Sequence, residues 1–157
     1  MNIRRVRLES VLATWFGAGL SPSAPGTVGS LAAFPLAAPL AWQFGATGLI
    51  AAGVVLTVIG VWVAEDYGRV TAKDDAQEIV IDEVAAQILV LAAAPFALLP
   101  WIAAFIAFRF FDVLKPWPCS WLDRRLKGGV GVMADDLAAA GYAALVIYAL
   151  GEAGAWT

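Results

Sequence analysis

At 157 residues the chain suits one domain and is too short for two ordinary ones. Its residues are 61% hydrophobic and 15% charged, with a mean hydropathy of +0.78, against about 25% charge in a typical soluble domain; this points to one helical membrane domain over residues 1–157. A net charge of −3 without a basic face argues against a nucleic-acid partner, and the absence of histidine excludes Ser-His-Asp chemistry, histidine nucleophiles and histidine-bound zinc. The single cysteine, Cys119, allows no internal disulfide and no cysteine metal site.

The charges fall in blocks. Four lie between Arg4 and Glu9, nine between Glu65 and Glu83, nine between Arg109 and Asp136, and one at Glu152. Residues 4–16 start with Arg4, Arg5 and Arg7 and continue as a mixed amphipathic segment, which predicts a short interfacial helix with its arginines toward anionic headgroups. The apolar run is too short, and lacks the small-residue cleavage site, for a signal peptide. Residues 17–30, GAGLSPSAPGTVGS, carry four glycines, two prolines and three serines and predict an irregular loop. That loop is either a linker or a phosphate cradle, ending where Thr27 or Ser30 caps the next helix.

Residues 31–64 are uncharged, and the Gly45–Gly48 break predicts a hairpin of helices 31–44 and 47–64. Pro95 and Pro100 predict a reversal between helices 78–94 and 101–114. A Gly128–Gly131 turn precedes a last apolar helix, 137–150, opened by Asp135-Asp136 where the helix dipole favours carboxylates. The fold class is all-α, with about four to five apolar helices. Hairpins of this kind bring the arginine-rich start and both charged blocks to one face, cytoplasmic by the excess of Lys and Arg.

Acids at a membrane boundary are costly, and several converging acids repel one another unless a cation lies among them. Asp82 and Glu83 open one apolar helix, and adjacent helical residues point about 100° apart, so one is expected as a ligand and the other as a support or base. Asp112 and Lys115 share a helical face. Oxygen-only donors select Mg²⁺, Mn²⁺ or Ca²⁺ over zinc. The competing reading has these acids marking helix ends and pairing with Arg109, Arg124 or Arg125. Cys119 and Arg125 have the C-x5-R spacing of cysteine phosphatases, but the bulky, acidic Ser-Trp-Leu-Asp interior cannot wrap a phosphate, so the match is coincidental.

Three motifs occur in order: GLSPSAPGTVGSLAA (19–33), DDAQEIVIDEVAAQ (74–87), and the segment 108–136 from FRFFDVLKPWP through LDRR to KGGVGVMADD. Together they resemble the phosphatidylglycerophosphatase A family, from about Trp15 to Tyr142. Ala86 and Lys73 depart from it, standing where glycine and histidine are common. The resemblance implies a magnesium-dependent membrane enzyme that hydrolyses phosphatidylglycerophosphate in the bilayer at the cytoplasmic leaflet of a bacterial-type inner membrane. By motif position it implies acidic residues at Asp82, Glu83, Asp112, Asp135 and Asp136. It likewise implies basic ones at Arg109, Lys115, Arg124 and Lys127, and a loop with Ser21, Pro25, Gly26, Thr27, Gly29 and Ser30. Mg²⁺ is expected on Asp82, Asp112 and Asp135 or Asp136, with Glu83 as general base and the Gly26–Ser30 amides and Lys115 or Arg124 orienting phosphate. A covalent intermediate on an aspartate or on Thr27 stays open, as does the oligomeric state. Rival readings are a membrane alcohol phosphotransferase, whose D-G-x2-A-R spacing is missing, and a divalent-cation carrier, which needs acids deep within spans.

Overall fold

The computed structural model describes residues 8–73 and 76–156; Arg4, Arg5, Arg7 and the Asp74-Asp75 pair lie outside them. The described residues form helices α1 (Leu8–Ala13), α2 (Pro25–Ala32), α3 (Phe34–Thr71), α4 (Ile81–Leu91), α5 (Leu98–Leu114), α6 (Cys119–Arg125) and α7 (Gly128–Glu152), with a 3-10 turn at Ala18–Leu20 and no strand.

Helix α3 is broken at Gly45, whose φ of 59° and ψ of −151° are open essentially to glycine alone. A Cβ on Gly48 would stand 3.2 Å from the Leu40 carbonyl oxygen, whereas a straight helix separates residues at that spacing by about 12 Å, so the chain doubles back here. The break lies within the stretch that reads as a reversal. Its second arm is longer than expected, running past Ala64 to Thr71, and carries the Arg69–Glu65 pair (3.0 Å) on its surface.

That second arm is the central packing surface, and glycines set its closest approaches. Gly53 lies against Leu89, Gly60 against Met133 and Ile81, and a Cβ on Gly129 would overlap the Val61 carbonyl. Small residues at such crossings let helix backbones approach and gain dispersion contacts. Two buried clusters result, one around Leu49, Ile88, Leu91, Phe108 and Ile147, the other around Val63, Ile81 and Met133. The outside stays apolar: Trp42, Val58 and Trp62 on α3, Leu98 and Ile106 on α5, and Leu145 on α7 are all exposed. Apolar side chains spread over this much surface mark an interaction surface of the kind that meets a membrane or another protein. The runs Pro25–Thr71 and Gly128–Glu152 are long and apolar enough to cross a membrane by length and composition.

Two expectations are corrected. Residues 25–32 form helix α2, with Pro25 in its first turn, so Gly26, Thr27, Gly29 and Ser30 are helical rather than loop residues. Helix capping by Thr27 or Ser30 does not occur: the capping position is Ala24, and Ser30 Oγ donates to the Gly26 carbonyl (2.9 Å) inside the helix. Helix α7 begins at Gly128, not at 137, because Gly129 and Gly131 pack against α3 and the Leu126 carbonyl instead of forming a free turn. The carboxylate at its N-terminus is therefore not Asp135 or Asp136 but Glu65, whose Oε2 accepts the Gly129 N–H at 2.8 Å.

Two glycines of α7 differ in their surroundings. Gly129→Ala forces the α3 backbone away and is expected to cost about 2 kcal/mol or more. Gly141→Ala, with nothing within 4 Å of the new Cβ, is expected to gain up to about 1 kcal/mol of helix propensity. Thermal unfolding in detergent should move in opposite directions for the two; a matching shift would contradict this packing.

Candidate active site

The cavity is built where α2, α4, α5, α6 and α7 meet, and its volume is about 1000 Å³. Its wall is polar because α4, α5, α6 and α7 present charged residues at this one end. Helix α4 contributes Asp82 and Glu83 from its first turn, and α5 contributes Arg109 and Asp112 from its last two turns. Lys115 sits at the left-handed position that ends α5 (φ 46°), Asp123 and Arg124 come from α6, Lys127 precedes α7, and Asp135 and Asp136 lie two turns into it.

Helix α2 touches this wall with its N-terminal turn. A Cβ on Gly26 would collide with the Glu83 carboxylate and stand 3.2 Å from Arg109 Nη1, so glycine lets the helix end approach both. Pro25 has no N–H and Val28 N–H bonds to the Ala24 carbonyl, which leaves the Gly26 and Thr27 N–H groups without intrahelical acceptors. Ala24, Pro25 and Gly26 line the cavity; Ser21, Thr27, Gly29 and Ser30 do not. Ser21 Oγ instead bonds to the Ser23 carbonyl (2.8 Å), and Gly29 packs on Val80.

Three carboxylates converge. Asp82, Glu83 and Asp136 each place an oxygen within 4.8 Å of the other two. Asp82 and Asp136 are 9% and 4% exposed, and Asp82 Oδ1, Glu83 Oε2 and Asp136 Oδ2 are buried without a hydrogen-bond partner. Both adjacent acids of α4 thus reach one point, against the expectation that their angular separation would divide them; the longer Glu side chain makes up the difference. Burial pushes the Asp82 carboxyl well above the usual range, and the charges of Glu83 and Asp136 push it further. The Glu83 carboxyl is also raised, by burial first and then by Asp112, with its hydrogen bond to Asp82 and the Arg109 charge opposing.

The other acids are neutralised by bases. Asp112 pairs with Arg109, and Lys115 Nζ bonds Asp135 Oδ2 at 2.7 Å and Asp123 Oδ1 at 3.0 Å. Burial alone would lower the Lys115 pKa, but the hydrogen bonds to Asp135 and Asp123 more than reverse this, and it is a permanent cation. Asp112 and Asp135, expected as metal ligands, are thus ion-paired beside the trio, and Glu83, expected as a base, is in it. Asp123 as a brace for Lys115 was not legible, since Pro116 and Pro118 interrupt any helical periodicity between them. That connection is held from outside the cavity by Tyr142, whose hydroxyl donates to the Trp117 carbonyl (2.7 Å). Cys119 is fully buried and burial raises its thiol pKa, while Arg125 does not line the cavity, in keeping with a coincidental C-x5-R spacing.

A buried carboxylate trio with unpaired oxygens is a donor set for a hard divalent cation, and the adjacent cations and helix N–H groups suit an anion. The chain was also compared with known proteins. The family model described as Phosphatidylglycerophosphatase A matches residues 11–151. Phosphatidylglycerophosphatase A of Escherichia coli (strain K12) is 40% identical over 147 residues, covering 90% of this chain and 83% of its own. The protein of the same name from Haemophilus influenzae is 39% identical over 141 residues, covering 89% and 86%. A Bacteroides thetaiotaomicron relative with a provisional phosphatidylinositol-3-phosphatase name is 38% identical over 146 residues, covering 89% and 91%. No solved structure matches the chain. With a family match running from the first described helix through nearly all of α7, and the motifs that carry it gathered around one cavity, the chain belongs to the phosphatidylglycerophosphatase A family.

Proposed function

We propose that the chain hydrolyses the terminal phosphomonoester of phosphatidylglycerophosphate, yielding phosphatidylglycerol and inorganic phosphate, with a magnesium ion held by Asp82, Glu83 and Asp136. The reaction follows from the family and from the names of the two enzymes that share about 40% of its residues. The observation that supports the ion is the trio itself: three carboxylates, each with one buried, partnerless oxygen, in a chain with no histidine and a cysteine outside the cavity lining. Oxygen donors of this kind suit magnesium or manganese rather than zinc. When bound, the ion supplies positive charge that draws electron density from the phosphorus and steadies the leaving oxygen.

The chain's own residues do the remainder. The Gly26 N–H group, at the positive end of α2, and the Arg109 guanidinium take the non-bridging oxygens of the reacting phosphate. Lys115, fixed by two carboxylates, adds charge without moving. Glu83, at the edge of the cavity, takes the proton of the water that attacks in line. Asp112 holds Arg109 in place.

The lipid enters from the bilayer between the apolar outer surfaces of α5 and α6, and the cavity faces the cytoplasm. Supporting this side, Arg4, Arg5 and Arg7 lead into α1, whose Ala13 carbonyl accepts the Val80 N–H at 2.9 Å, next to the cavity residue Ile79. The α3 hairpin and α7 then form the membrane-embedded body, with α4 and α5 completing about four to five apolar helices.

Chelation by EDTA should abolish phosphate release from the detergent-solubilised enzyme, and added Mg²⁺ should restore it. Asp82→Asn and Asp136→Asn are expected to lower turnover by about 10²–10³ and to weaken Mn²⁺ binding measured by electron paramagnetic resonance. Asp112→Asn should lower turnover while leaving Mn²⁺ affinity within about threefold. Near wild-type release from Asp82→Asn or Asp136→Asn would remove the trio from the reaction.

Orientation is tested separately. Arg125→Cys places a thiol on an exposed residue beside the cavity, while native Cys119 is buried. A membrane-impermeant maleimide should modify it in inside-out vesicles and not in right-side-out ones; the reverse pattern would turn the site to the other face.

A further inference from the structure

We infer that Arg124 and Lys127 form a second anion site, for the phosphodiester that joins the substrate's glycerol to its lipid, and so choose the substrate instead of acting on its reacting phosphate. This rests on the reading of Asp82, Glu83 and Asp136 as the place of reaction.

Four cations line the cavity, and they divide into two kinds. Arg109 and Lys115 are committed to carboxylates, Arg109 to Asp112 and Lys115 to Asp123 and Asp135. Arg124 and Lys127 are exposed, line the same cavity, and have no ion pair among the described residues. Arg124 is connected to the trio through ion pairs: Asp136 adjoins Asp135, which binds Lys115, which binds Asp123, which adjoins Arg124. Unlike the carboxylates at the other end of that connection, Arg124 and Lys127 are exposed to solvent.

The substrate has the same layout. Its phosphomonoester, three-carbon glycerol and phosphodiester lie in a row, and only the monoester reacts. With the monoester at the trio, the diester falls at the rim, where two unclaimed cations wait and an anion has nothing else to neutralise it. Depth agrees as well. Trp117 (74% exposed) and Trp121 (45% exposed) lie on the turn before α6 and on α6, the helix that carries Arg124, and exposed tryptophans of a membrane protein settle at headgroup level, where a lipid's diester lies. Arg125 provides an internal contrast: it is exposed next to Arg124 yet does not line the cavity.

The two products separate the sites, because phosphatidylglycerol keeps the diester and inorganic phosphate does not. Water-soluble dihexanoyl phosphatidylglycerol and orthophosphate serve as inhibitors of the wild type and of Arg124→Gln, Lys127→Gln, the double variant and Arg125→Gln. For the double variant the inhibition constant of the lipid should rise about tenfold, with KM for a short-chain substrate rising alongside and kcat held within about threefold. The orthophosphate constant should stay within about twofold, and Arg125→Gln should change neither. Equal rises for both inhibitors would place Arg124 and Lys127 on the reacting phosphate and overturn the inference. An effect of Arg125→Gln as large as that of the double variant would also overturn it, in favour of diffuse surface charge. Failure of the trio reading is distinguishable: Asp136→Asn would then leave turnover and orthophosphate inhibition untouched, whatever the rim variants do.

Discussion

Carboxylates crowded into a buried space repel, and much of this molecule is arranged around that repulsion. Two unit charges held within 4.8 Å of each other in a protein of effective dielectric about 20 oppose each other by on the order of 3 kcal/mol or more, and Asp82, Glu83 and Asp136 make three such pairs. Nearby bases relieve them only in part. Arg109 opposes the charge on Glu83 but pairs with Asp112, and Lys115 pairs with Asp135 and Asp123 rather than with the trio. What remains is a concentration of negative charge that either holds protons, as the raised Asp82 and Glu83 pKa values express, or holds a cation.

The helix packing exists in a form that makes this crowding possible. The second arm of α3 carries Gly53 and Gly60 against α4 and α7, and α7 answers with Gly129, so these helices approach closely enough to align Asp82 with Asp136. Helix α2 approaches through Gly26, and the fit is close enough that one added carbon would meet both Glu83 and Arg109. The small residues that read as flexible punctuation are therefore contact residues. They convert apolar helices, which by themselves have no preferred neighbour in lipid, into a bundle with one register.

Polar and apolar surfaces are correspondingly segregated. Charged side chains collect at one end, around the cavity, while Trp42, Val58, Trp62, Ile106 and Leu145 face outward from the remaining surface. A lipid phosphatase needs this division, since its reacting group is a dianion and the rest of its substrate is hydrocarbon. The cations also differ in standing: two are locked into ion pairs as fixed charge, and two are exposed with no ion pair among the described residues.

Much of this was legible before any coordinates. The hydropathy and block-like charge identified an all-helical membrane-associated chain, the lack of histidine narrowed the chemistry to oxygen donors, and three ordered motifs pointed to the family. Gly45 was legible as a break because glycine interrupts an otherwise uncharged helix. The same logic misled at Gly128–Gly131 and at residues 25–32, where glycine serves packing inside a helix, a role that local sequence does not distinguish from a turn. Within α4, adjacency suggested that Asp82 and Glu83 would part, yet side-chain length brings both to one point. The sequence alone determined which residue types were present and which chemistries they allow, because those depend on composition and spacing. Only the tertiary structure decided which acids meet and which are paired away, because Asp82 and Asp136 are neighbours through contacts between helices far apart along the chain, and nothing in the residues between them encodes that distance locally.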